Sequence, residues 1–145
     1  MKTVELTTIE EMFEQIEIIR YLYPNISEEK YKTYLEAMVL HNYTQVAVFD
    51  EEECVGLTGL WYGIKLWSGK YLEIDNFIVH PDYRSKGIGK LLTDYVNQKA
   101  TDLGCTMIVL DAYTQNFTAH RFYYNQGYMP RGFHFVKTLN VDGLT

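Results

Sequence analysis

Apolar side chains recur at helical spacing near the start of the chain, at Ile9, Met12, Phe13, Ile16 and Ile19. Thr7 or Thr8 can cap this helix, because each has an acid three residues downstream, and Pro24 bounds it. Ser27, followed by Glu28 and Glu29, opens a second helix with the apolar face Tyr31, Tyr34, Leu35, Met38 and Val39, ending near His41. The pattern then shortens. Residues 45–49 and 54–62 are rich in valine, leucine and aromatics and flank the acidic turn 50–53, which reads as a hairpin, and residues 71–80 form a further strand closed by Pro81. From Gly87 the helical period returns in Ile88, Leu91, Leu92, Tyr95, Val96 and Leu103, with Gly104 placed to end it. Residues 106–110 are a continuous apolar run, as expected of a strand covered on both faces. Asn116 caps a short helix carrying Ala119, Phe122 and Tyr123, Gly127 stops it, and residues 133–139 are expected to form a last strand. Residues 3–6 offer one more strand at the N-terminus. This order predicts an α/β chain, in the α+β manner, built on a central mixed β-sheet with helices on both faces.

The composition narrows what such a chain can do. A length of 145 residues suits one domain, 1–145, and no repeat or low-complexity linker divides it. Cys54 and Cys105 stand far apart in apolar runs and read as reduced core residues. No stretch resembles a signal peptide or a membrane span, so a cytoplasmic protein with no membrane partner is expected. With 19 acidic against 13 basic residues, the formal charge of −6 opposes binding to a phosphate backbone, so nucleic acid is not the expected partner. An acidic field attracts cationic substrates, although the same charge also serves solubility.

The chemistry concentrates in residues 75–92, where a strand ends, a basic glycine turn follows and a helix begins. Such a turn aims several backbone N–H groups and the positive helix end at one spot, a site for phosphate oxygens. Gly87 and Gly89 permit close backbone approach, and Arg84, Lys86 and Lys90 add charge. The pattern is not a Walker loop, which needs a hydroxyl where Leu91 follows Lys90, nor a dinucleotide fingerprint, which needs glycine where Leu92 stands.

What it does match is RxxGxG, in Arg84, Ser85, Lys86, Gly87, Ile88 and Gly89, after a strand ending Val79, His80, Pro81. This resembles the acetyl-CoA signature of the GNAT superfamily of N-acetyltransferases. Downstream, Asn116, Ala119, Phe122, Tyr123, Gly127 and Tyr128 are similar to that family's NxxAxxFYxxxGF pattern, with tyrosine replacing the final phenylalanine. The segments AHRFY (119–123) and GFHF (132–135) look like a group of small bacterial members, which does not specify a substrate.

The resemblance implies the GNAT acyl-CoA N-acyltransferase fold, acetyl-CoA as co-substrate, and acetyl transfer to a primary amine of a small molecule or peptide by direct attack in a ternary complex. It implies that the diphosphate rests on Arg84, Ser85, Lys86, Gly87, Ile88, Gly89 and Lys90. It further implies that the pantetheine pairs with backbone at Phe77, Ile78 and Val79, that Asn116 touches the CoA arm, and that Tyr123 is the general acid. Asn116 is explained equally well as a helix cap. For the base Asp75 is the first choice, with Glu73, Asp111, His120 and His134 as alternatives; strand alternation puts Glu73 and Asp75 on the same face, a parity that a bulge between them would break. No metal ligand set is expected. Tyr21, Tyr23, Trp61, Tyr62 and Trp67, with residues 61–67 read as a loop, could wall an acceptor site or simply pack. The competing function is a non-catalytic acyl-CoA-binding or sensor module. Small domains of this kind commonly pair as homodimers, although no self-complementary patch can be named.

Overall fold

Thr8, rather than Thr7, opens the first helix. Its hydroxyl accepts from the Glu11 N–H at 3.1 Å and the Glu11 carboxylate accepts from the Thr8 N–H at 3.1 Å, a reciprocal capping box. A computed structural model, which describes residues 1–145, divides this first helical stretch into α1 (Ile9–Phe13) and α2 (Ile16–Ile19). The break lets Ile18 join Ile16 and Ile19 in the core, which one straight helix would not do. Next comes α3 (Glu28–Met38), where the Ser27 hydroxyl accepts from the Lys30 N–H at 3.0 Å, and a 3-10 turn (Val39–His41) closes it.

By its internal contacts the chain forms two units, Met1–Val109 and Leu110–Thr145. The first holds the sheet, in the spatial order β1 (Lys2–Leu6), β2 (Tyr43–Asp50), β3 (Glu53–Lys65), β4 (Gly69–Val79) and β5 (Met107–Leu110). The N-terminal strand forms as expected, pairing antiparallel with β2 from Lys2↔Phe49 to Leu6↔Gln45. β2 with β3 and β3 with β4 are antiparallel hairpins. β5 starts beside the start of β4, the Thr106 N–H donating to the Lys70 carbonyl at 2.8 Å, after the crossover helix α4 (Ile88–Asp102). Both strands lead away from that point, so they run parallel and the sheet is mixed. β3 is longer than the sequence suggests: it carries Trp61 and Tyr62 within the ladder, and only residues 66–68 turn.

Strand alternation supplies two cores. On one face Leu6, Tyr43, Ala47, Leu57 and Ile78 pack beneath α1, α2 and α3 with Met12, Ile16, Ile19, Tyr31 and Leu35. On the other Val46, Val48 and Val55 pack against Ile88 and Leu92 of α4. Helices therefore cover both faces of the sheet. Two bulges interrupt the alternation. Val48↔Gly56 is followed by Phe49↔Cys54, which leaves Val55 extra in β3. Leu57↔Ile78 is followed by Gly59↔Asp75, so β4 spends two residues, Asn76 and Phe77, against the single Thr58. The thiols of Cys54 and Cys105 are free and half-buried.

In the second unit Asn116 caps α5 (Phe117–Asn125), its side chain accepting from the Ala119 N–H at 3.2 Å. The strand expected over residues 133–139 does not form. That stretch has no ladder partner, and alternating aromatic and polar residues make a strand only where a neighbour completes the backbone hydrogen bonds. No helix of the chain is long and apolar enough to cross a membrane.

Candidate active site

The turn after β4 is built from the hairpin beneath it. The His80 N–H donates to the Val55 carbonyl at 2.9 Å, and the His80 Nδ1 accepts from the Asp82 N–H at 3.2 Å. With Nδ1 used as acceptor, the neutral ring carries its proton on Nε2, which lies 2.9 Å from the Tyr21 hydroxyl. Pro81–Tyr83 form a 3-10 turn, and the Tyr83 hydroxyl donates to Asp50 Oδ2 at 3.0 Å. That bond to Asp50, more than burial, pushes the Tyr83 phenol up to about 12. Lys86 lies with its ammonium 5.0 Å from the centre of the Tyr83 ring.

Beyond Tyr83 the backbone enters the left-handed region twice, at Ser85 (φ 59°) and Gly87 (φ 83°). Gly87 is the N-cap of α4, offers no side-chain acceptor, and a Cβ there would meet open space. The first three amides of the helix, at Ile88, Gly89 and Lys90, therefore lack intrahelical acceptors at the end of a fifteen-residue helix. Arg84, Ser85, Lys86 and Lys90 are exposed around them, while Ile88 anchors the turn in the core. The Lys90 ammonium is already taken by Asp94, at 2.7 and 2.9 Å, which leaves Lys90 its backbone N–H for a ligand. Unpaired amides, a positive helix end and the exposed cations Arg84 and Lys86 suit an anionic diphosphate.

Upstream, Phe77, Ile78 and Val79 are the last residues of β4, Phe77 within the bulge and the other two beyond it. β5 has four residues against the eleven of β4 and starts beside Lys70, so it flanks only the first part of that strand. Glu73 and Asp75 pair across to Trp61 and Gly59 and so face the α1–α3 side of the sheet. Asp75 is well tethered: Oδ2 accepts from the Trp61 indole at 3.0 Å and Oδ1 from the Asn76 N–H at 2.8 Å. A carboxylate has about four lone-pair positions, so further donors can still be met. The Asp75 carbonyl, displaced by the bulge, accepts from the Thr58 hydroxyl at 3.1 Å. Near His80 an open groove of about 460 Å³ is lined by Glu14, Glu17, Arg20, Tyr21 and Glu53, with Arg20 bound to Glu17 at 2.6 Å.

In the second unit Asn116 and Tyr123 share α5, two turns apart. Burial, with Tyr128 adding to it, raises the Tyr123 phenol far above the ordinary tyrosine value, so it keeps its proton. Its ring meets Phe122 and Tyr128 edge-on, centroids 5.3 and 5.7 Å apart. The remaining base candidates of this unit are engaged locally: His134 Nδ1 lies 3.2 Å from Asp111 Oδ2, and His120 Nε2 donates to the Tyr113 carbonyl at 2.8 Å. Of the candidate wall aromatics, Trp61 stacks obliquely on Tyr43 at 4.8 Å, Tyr23 binds Asn76, and Trp67 lies exposed in the β3–β4 turn. The sequence reading overlooked Asn76 and Tyr83. An asparagine in mid-strand, where it is unfavourable, was the available sign of a bulge.

Comparison with known proteins gives this arrangement a class. An aminoglycoside acetyltransferase from an uncultured soil metagenomic sample superposes with a TM-score of 0.80 over 96% of each chain at 21% identity, which makes the fold that of an acetyltransferase. The model of the acetyltransferase (GNAT) family matches residues 9–128. The chain is 32% identical over 120 residues to the uncharacterized N-acetyltransferase YhdJ of Bacillus subtilis (strain 168), covering 82% of this chain and 84% of that one. It is 31% identical over 88 residues to the aminoalkylphosphonate N-acetyltransferase of Salmonella typhimurium, covering 60% and 57%. The chain belongs to the GNAT family of acetyltransferases and is an N-acetyltransferase.

Proposed function

We propose that the protein transfers the acetyl group of acetyl-CoA to the primary amine of a small, cationic molecule or a peptide, by direct attack with both substrates bound. The observation that carries this reading is the start of α4, where three amides without intrahelical acceptors open beside exposed Arg84 and Lys86. Acetyl-CoA supplies an activated thioester. Arg84, Ser85, Lys86, Gly87, Ile88, Gly89 and Lys90 hold its diphosphate, the last through the backbone alone, and the edge of β4 from Phe77 to Val79 aligns its pantetheine. A backbone N–H near Val79 meets the acyl oxygen as charge develops there. Asp75 takes a proton from the ammonium, exposing the lone pair that attacks. Tyr123, which burial keeps neutral, returns a proton to the departing sulfur. Asn116 steadies the CoA arm while its side chain caps α5.

For the acceptor, Glu73 and Asp75 on one strand face and the carboxylates Glu14, Glu17 and Glu53 around the nearby groove favour a cation. The names of the Salmonella relative and the soil-derived structure, an aminoalkylphosphonate and an aminoglycoside acetyltransferase, extend the same chemistry to small polar amines.

The test is thiol release from acetyl-CoA with polyamines, amino sugars, amino acids, aminoalkylphosphonates and lysine peptides, beside calorimetric titration with CoA. Turnover with one of these amines supports the reading, and a lack of CoA binding overturns it. Binding with silence across a broad panel would favour a non-catalytic acyl-CoA-binding module. Tyr123→Phe is expected to lower turnover ~10²-fold or more with CoA affinity nearly intact; equal turnover would remove Tyr123 from the mechanism.

A further inference from the structure

A buried chain of hydrogen bonds ends at the bulge of β4. The Tyr31 hydroxyl donates to the Met12 carbonyl at 3.1 Å, and the Tyr43 hydroxyl donates to Asn76 Oδ1 at 2.9 Å. Both phenol protons are committed, so each oxygen needs a donor, and the Gln45 amide supplies both, its Nε2 lying 3.0 Å from Tyr31 and 3.2 Å from Tyr43. Asn76 Nδ2 then donates to the Tyr23 hydroxyl at 2.8 Å. The chain therefore has a direction, from β2 through Tyr43 into the Asn76 amide and on to the loop after α2. Reversing it would turn the two N–H groups of a fully buried glutamine towards the position where Gln45 Oε1 now has no partner. A buried donor without an acceptor is the rarer and costlier defect.

The consequence lies in the backbone. Asn76 sits at φ 54°, in the left-handed region, and it is the extra residue that turns β4 between Asp75 and Ile78. Its side chain is held from both sides, by Tyr43 and by Tyr23, and its N–H is bound by the Asp75 carboxylate. Gly59, across the ladder, leaves room for the contact: a Cβ there would lie 2.4 Å from the Tyr43 hydroxyl and 2.8 Å from Asn76 Oδ1. Burial holds the Tyr31 phenol at about 12 and Tyr43 higher still, so neither proton leaves the chain at neutral pH.

We infer that Tyr43 and Gln45 are positioning residues for acetyl transfer, acting through Asn76 to hold the β4 bulge and thereby the aim of the Phe77–Val79 backbone. The inference rests on the function proposed above. It assigns to buried residues of β2 a part in the rate and none in substrate contact.

The test compares Tyr43→Phe, Gly59→Ala, Asn76→Ala and Asn76→Gly with the wild type, each normalised to folded protein by circular dichroism. Tyr43→Phe keeps the ring against Trp61 but loses the bond to Asn76. It is expected to lower kcat roughly 10- to 100-fold while KM for acetyl-CoA stays within about twofold, because a misaimed backbone weakens contacts made in the transition state. Gly59→Ala, which pushes the same two groups apart, should follow it. Asn76→Ala and Asn76→Gly should both lose kcat, since neither leaves a side-chain amide for Tyr43 and Tyr23 to hold, although glycine accepts the left-handed backbone. An unchanged kcat in Tyr43→Phe overturns the inference, and so does an Asn76→Gly variant as active as the wild type. If the wild type turns over no amine, the proposed function fails, and the ¹⁵N amide shifts of Phe77, Ile78 and Val79 decide this inference alone. Displaced shifts in Tyr43→Phe uphold it, and unmoved shifts overturn it.

Discussion

A methyl group at position 56 should disturb cofactor binding from beneath the site. Gly56 lies in β3 against α4, and a Cβ built there falls 2.4 Å from Ile88 Cγ2 and 3.4 Å from Leu92 Cδ1. Ordinary carbon contacts lie at ~3.5–4.0 Å, so Ile88 must leave its rotamer or the start of α4 must lift by about 1 Å. Ile88 is only 1% exposed, so it has no solvent to yield into, and it is the first residue of the helix whose leading amides form the proposed anion site. Overpacking of this kind costs about 1–3 kcal/mol. For a chain of this size that corresponds to a fall in Tm of roughly 3–15 °C. Lifting the helix also moves the amides of Ile88, Gly89 and Lys90, so CoA affinity should weaken about tenfold, as positioned donors lose alignment. Scanning calorimetry and CoA titration on Gly56→Ala measure both effects. The double variant Gly56→Ala/Ile88→Leu removes the branch methyl that clashes and should recover part of each loss. A Gly56→Ala protein with unchanged Tm and CoA affinity, or a double variant with simply added losses, would refute the packing argument.

Two other predictions concern charge. Lys90→Ala should change CoA affinity less than about twofold, because the lysine ammonium is held by Asp94, whereas Arg84→Ala should weaken binding severalfold with a smaller salt dependence; titration at two ionic strengths separates them. Stability should fall in alkali. Tyr31 is raised to about 12 and Tyr43 further, both by burial, so the native state holds protons that the unfolded chain releases from pH ~10 upwards. Their contribution is fully present below pH ~10 and is lost as pH rises through the folded values, by up to ~1.4 kcal/mol per pH unit for each group. Urea melts between pH 7 and 11.5 should decline steeply above about pH 10, and a flat profile from pH 9.5 to 11.5 would contradict the burial of these phenols.

The local determinants of the fold were plain in the sequence. Periodicity placed α3, α4 and α5, with Ser27 and Asn116 as caps and the helical period starting from Gly87, and the run of glycines and cations from Arg84 to Lys90 marked the proposed anion site. Such features depend on residues within a few positions of one another, where propensity and turn chemistry dominate. The expected strand over 133–139 failed for the opposite reason: its existence depended on a partner ladder that its own residues do not encode.

The parity of Glu73 and Asp75 was likewise open until the bulge at Asn76 was placed, and that bulge is decided by Tyr43, Gln45, Gly59 and Tyr23, which lie 17 to 53 positions away along the chain. The sequence by itself determined which turn is proposed to take the phosphates, because the amides, the glycine and the cations are contiguous. Only the tertiary structure decided how β4 presents its backbone, because that outcome arises from side chains that meet only once the sheet and helices have closed around them.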